Sequence, residues 1–89
     1  MDDMTCWKNE IEHEMGCCGD TWADVEACTL TEEELLEQFD SGWGCTEGKA
    51  FTVWTKNRVY FPAQYDGSEW CDSVARNPNG SATFHIGGG

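Results

Sequence analysis

The chain has 89 residues, enough for one domain with a modest core, and its 17 acidic side chains against five basic ones give a formal net charge of −12. Such a charge disfavours direct nucleic-acid or membrane binding and favours a basic partner, and no apolar run approaches the roughly 20 residues that a membrane helix requires. The imbalance is uneven, with −13 lying before Lys49 and +1 from Lys49 onward.

The start, MDDMTCWKNE, is acidic and lacks the basic and apolar regions of an export signal, so a cytoplasmic chain with reduced thiols is expected. Cys17 and Cys18 are adjacent while Cys6, Cys28, Cys45 and Cys71 are dispersed, so no C-x-x-C pair marks a zinc knuckle or a redox motif. Five Trp, four Phe and two Tyr supply the bulk of the core.

In chain order, Asp2 or Asp3 caps a first helix over Thr5 to Met15. Met4, Trp7, Ile11 and Met15 form its apolar stripe, and Gly16 is its stop. Asp20 or Thr21 then caps a short second helix with Trp22, Val25 and Cys28 at helical spacing. A third helix carries the clearest start signal. Thr31 and Glu34 form a capping box, Leu30 and Leu35 a hydrophobic staple, and Leu35, Leu36 and Phe39 face inward until Ser41-Gly42 ends the element. A glycine-rich loop follows, with Trp43 folded back on the body.

Lys49 to Arg76 reads as a three-stranded antiparallel meander. A turn at Lys56-Asn57 sets Trp54 opposite Val59 and Thr52 opposite Phe61. A turn at Asp66-Gly67 sets Ala63 opposite Trp70, Phe61 opposite Asp72 and Val59 opposite Val74. One face then collects Ala50, Trp54, Val59, Phe61, Ala63, Trp70 and Val74 as the core, with Trp54, Phe61 and Trp70 buried; the other, with Phe51, Val53, Arg58, Tyr60, Gln64, Glu69 and Ser73, is half wet. Pairing is expected to be imperfect at Pro62. After a turn at Asn77-Pro78-Asn79-Gly80, ATFHI adds a fourth strand, and Gly87-Gly88-Gly89 is a disordered tail. The expected fold is a single α+β domain: a helical part over 1–42, an antiparallel meander over 49–76, and a C-terminal strand and tail over 77–89.

Chemistry-bearing patterns are few. His13 and Cys17, four apart, match the spacing of two metal ligands, and Cys18, Cys28 or Cys45 would complete a site; with no second spaced pair, the thiols are read as small core hydrophobes and no cofactor is assigned. GWGCTEG lacks the G-K-[ST] ending of a phosphate loop, and no stretch has the oxygen spacing of an EF-hand loop. A non-enzymatic chain is expected. The remaining signal is acid density: Glu10 and Glu14 on the first helix, and Glu32, Glu33, Glu34, Glu37 and Asp40 on the third. Like charges this close repel one another, a cost that a basic partner would relieve, and Trp22 and Trp43 are the candidate apolar anchors. The alternative is a small zinc-binding module, or one that meets its partner through the sheet around Arg58, Tyr60 and Glu69.

The run from GDTWADVEACTLTEEELLEQFDSGWG through FTVWTKNRVYFPAQYDGSEWCDSVARNP resembles small uncharacterised proteins carried by tailed bacteriophages and prophages. In size, acidity and lone-domain layout the chain is similar to the anti-CRISPR and other anti-defence inhibitors of those elements. The resemblance implies a non-enzymatic protein in the cytoplasm of a bacterial host that blocks a host or CRISPR-Cas-like defence protein at a basic nucleic-acid-binding surface. It carries over no catalytic residues, because such inhibitors share no common site.

Overall fold

The computed structural model describes residues 4–40, 48–65, 68–78 and 80–83, with the backbone alone at Asp40 and Tyr65. Its longest helix, α1 (Trp7–Cys18), presents Trp7, Ile11 and Met15 at successive turns of one face, and all three are buried. The helix starts later than expected. Met4–Cys6 is a strand, β1, and Cys6 rather than an aspartate stands at the N-cap. It also runs through Gly16 and ends at Gly19, whose φ of 80° is the left-handed conformation that closes a helix; the N–H there bonds to Met15 O.

The expected second helix is a single 3-10 turn, Trp22–Asp24, followed by a strand, β2 (Val25–Cys28). Spacing of three misled because of a bulge. Val25 lies opposite Thr55, Ala27 opposite Trp54 and Cys28 opposite Val53, with the register shifting between Val25 and Ala27. The extra residue puts positions 25 and 28 on one face of a strand, where an unbroken strand would alternate them.

Helix α2 (Glu32–Leu36) keeps the capping box: Glu34 N donates to Thr31 Oγ1 at 3.2 Å and Thr31 N to Glu34 Oε1 at 2.9 Å. It is shorter than expected, since Glu37 turns extended and Gln38–Asp40 form β3, pairing antiparallel with β1 with Phe39 opposite Thr5. Phe39 therefore reaches the core from a strand, and Leu36, expected inside, is 52% exposed.

The main sheet has the order β2-β4-β5-β6, with β4 at Val53–Thr55, β5 at Arg58–Tyr65 and β6 at Ser68–Ala75. The pairing keeps the expected register, except that Thr52 lies outside β4 and is not paired with Phe61. Trp54 faces Val59, and Val59, Phe61 and Ala63 face Val74, Asp72 and Trp70. The register runs unbroken past Pro62, which lies opposite Cys71. Among the described residues the fourth strand is β2; of the expected ATFHI strand, Ala82 and Thr83 lie in no strand, and 84–89, like the Ser41-Gly42 stop, Trp43, Cys45 and the Asp66-Gly67 turn, fall outside the described residues. The architecture of the described residues is α+β, with one long and one short helix and antiparallel sheets of four and two strands.

The helix packs on the face of the sheet opposite to the expected one. Phe51, Val53, Thr55, Tyr60, Cys71 and Ser73 are buried beneath α1, whereas Trp54, Val59, Phe61, Trp70 and Val74 are only half-buried on the far side. Of the expected core face, Ala63 alone is buried. Trp7 is the hub: its ring lies 4.7 Å between centroids from both Phe39 and Phe51, and its Nε1 donates to Lys49 O at 2.9 Å.

Candidate functional site

The inner face is tied down by polar groups. Asp20, buried just past the end of α1, accepts from Thr55 Oγ1 at 2.8 Å, Tyr60 OH at 2.7 Å and Asn57 Nδ2 at 3.0 Å. Burial raises the Asp20 carboxyl, but those hydrogen bonds and the charge of Arg58 outweigh it, so its pKa lies below the ordinary value. Burial and the facing Asp20 push the Tyr60 phenol far above its usual range. Beside this clamp, Ser73 Oγ donates to Glu14 and accepts from Arg58 Nε, each at 2.8 Å, with the Cys18 thiol 3.6 Å from Glu14. Every buried side-chain N or O among the described residues has a partner. These groups hold the helix to the sheet, and Glu14, expected at a partner surface, belongs to them.

The open feature lies on the helical side. A groove of about 440 Å³ runs between α1, the 3-10 turn, β2 and α2, lined by Lys8, Trp22, Val25, Cys28, Leu30, Glu32 and Leu35. Its position follows from three local signals. The β2 bulge turns both Val25 and Cys28 toward the core side, the staple brings Leu30 to Leu35, and Trp22 Nε1 donates to Glu12 Oε2 at 2.7 Å, which fixes the indole as a wall. The floor is therefore apolar and part of the rim acidic.

The expected site residues do not gather in one place. Glu32 and Glu33 are exposed on the first turn of α2, and no ion pair reaches them among the described residues. Glu34 and Glu37 share Lys49, at 3.2 and 3.6 Å, and Glu34 also caps α2; the Thr31 N–H and Lys49 hold its pKa below the ordinary value. Glu10 accepts from Thr5 Oγ1 at 2.8 Å. Trp22 lines the groove, while the Asp40 side chain and Trp43 lie outside the described residues. Lys8, Val25, Cys28 and Leu30 were not expected there. The staple was the signal that could have pointed to Leu30.

The alternative sites fare differently. His13 and Cys17 are exposed on α1, Cys18 turns toward Glu14 and Ser73, and Cys28 donates to Leu30 O at 3.4 Å, so the four metal candidates do not converge; no three ligand-type side chains are grouped among the described residues. Arg58, Tyr60 and Glu69, expected at a sheet-borne partner surface, lie on the covered face, where Tyr60 is fully buried and Glu69 accepts from Gly48 N at 3.0 Å. No helix among the described residues is long and apolar enough to cross a membrane. No protein-family model, curated protein or solved structure matches the chain.

Proposed function

We propose that this chain is a non-enzymatic binding protein whose groove between α1, β2 and α2 takes an apolar side chain from a basic surface of another protein, while Glu32, Glu33 and the neighbouring acids meet the surrounding Lys and Arg. The observation that carries the reading is an apolar groove floor, with Glu32 and Lys8 at the rim, on a chain of net charge −12. Apolar contact supplies affinity; the field supplies approach and selects against acidic partners. On the sequence resemblance to phage anti-defence inhibitors, the partner is a nucleic-acid-handling protein of a bacterial host, blocked where it would hold DNA or RNA.

Affinity purification from a bacterial lysate at low and moderate salt, followed by competition with DNA or RNA, tests this. A basic partner that is released as salt rises and displaced by nucleic acid is expected, because the Debye length is only about 8 Å at physiological ionic strength. Reversing Glu32 and Glu33 to Lys should weaken capture at least about tenfold, and Leu30→Asp should abolish it. Undiminished capture by the charge-reversed variant would sink the reading.

A further inference from the structure

The far face of the four-stranded sheet carries half-buried Trp54, Val59, Phe61, Trp70 and Val74, an apolar surface that the groove does not use. Register sets Ala27 beside Trp54, Trp54 beside Val59, Val59 beside Val74 and Ala63 beside Trp70, so these side chains form one continuous patch across all four strands. Of the paired strand residues on it, only Asp72 is charged, and its carboxylate accepts from Ser73 N at 2.8 Å and Trp70 Nε1 at 3.4 Å. On most antiparallel sheets with one covered face, the other is polar. Here, among the described residues, the face turned away from α1 is the more apolar one.

We propose that this face is the interface of a symmetric homodimer, with a second copy of the chain as its occupant. Charge argues for the second copy. The acidic side chains of α1 and α2 lie on the opposite side of the sheet, so among the described residues a basic partner finds only Asp72 and, at the β2 edge, Glu26 already paired with Arg76, whereas stacking two copies keeps both acidic layers outward. Area agrees. Four strands about 4.8 Å apart, two of them eight residues long, span a footprint of roughly 400 Å² in plane. With side-chain relief, two copies bury on the order of 1,000 Å², the lower limit for a specific interface. Such a dimer has two sheets about 10 Å apart with strands aligned within about 30°, and Trp54, Phe61 and Trp70 pack against their symmetry mates. This interface is independent of the groove.

Sedimentation of the full chain from about 1 µM to about 1 mM should show the mass doubling, and added salt should strengthen association by screening two copies of charge −12. That is the reverse of the salt effect expected at the groove. Dilution should shift the Trp54 and Trp70 indole N–H resonances and leave α2 unchanged. Phe61→Glu and Val59→Lys, checked by circular dichroism, should each stay monomeric throughout; should either fail to fold, the resonance map of the unaltered protein still decides. A monomer at every concentration overturns the proposal. So does association that maps to α2, or a monomer whose Trp54 and Trp70 signals move only when 84–89 are deleted.

Discussion

The two faces of the main sheet carry nearly the same backbone register and opposite chemistry. The inner face holds Thr55, Tyr60, Glu69 and Ser73 among its buried residues; the outer one is made largely of Trp, Val and Phe and stays half-open. Apolar content therefore did not choose the face that α1 covers. Matching did: Asp20 and Glu14, delivered from the end of α1, satisfy Thr55, Tyr60 and Ser73, while Phe51 and Val53 pack with Trp7, Ile11 and Met15. A buried hydroxyl with a good acceptor costs little, and one without costs about 1–3 kcal/mol, so a helix bearing the right acceptors can cover a polar-seeded face without penalty.

The sharpest way to break that contrast is to truncate adjacent residues on β5. Tyr60→Ala removes a fully buried ring and leaves Asp20 without one of its donors, and should destabilise the fold by about 3–5 kcal/mol in urea unfolding. That is a large share of the total for a domain of this size.

Removing the acceptor comes next. Asp20→Ala strands the Tyr60 hydroxyl in the interior and leaves the Thr55 hydroxyl only its longer bond to Arg58 O, and should cost about 2–4 kcal/mol. Acid should do the same more gently. The folded pKa of Asp20 is depressed, so its contribution is complete above the unfolded value near 3.8 and is lost as pH falls through the lower, folded one. A melting-temperature series below about pH 4 should show this loss, and the Asp20→Asn protein should show less of it.

The close approach of Gly48 to the Trp7 ring is a third place to test the inner side. A Cβ built on Gly48 would sit 2.5 Å from the Trp7 ring, so Gly48→Ala must displace the hub of the core and should cost about 1–3 kcal/mol. Unchanged stability in that variant would show that Trp7 is not held where Phe39 and Phe51 flank it.

Several of these relations were legible beforehand. The capping box Thr31–Glu34, the Trp54–Val59 pairing and the pairings between β5 and β6 rest on local chemistry, and they appear as read, whereas Thr52 is not paired with Phe61. The choice of face was not legible, because it depends on Asp20 meeting Tyr60 and Thr55 across 40 and 35 positions of chain, which no periodicity encodes. The β2 bulge hid a strand behind helical spacing, and Thr5 pairing with Phe39 converted two helix ends into strands for the same long-range reason. At the groove, Trp22 and Glu32 were legible as an apolar anchor beside acid, while Val25 and Cys28 required the bulge to be known.

The smallest expected effect lies on the outer face. Phe61 is next to Tyr60 in sequence and similar in size, yet it is only half-buried and makes no polar contact among those described. Its truncation removes apolar area that is already partly wet and opens no closed cavity, so the transfer contribution is reduced and the cavity penalty largely absent. Phe61→Ala, measured at a protein concentration low enough that self-association plays no part, should cost about 1 kcal/mol, several-fold less than Tyr60→Ala. Equal losses at the two positions would mean that both faces are closed, and the separation between a satisfied inner face and an open outer one would fail.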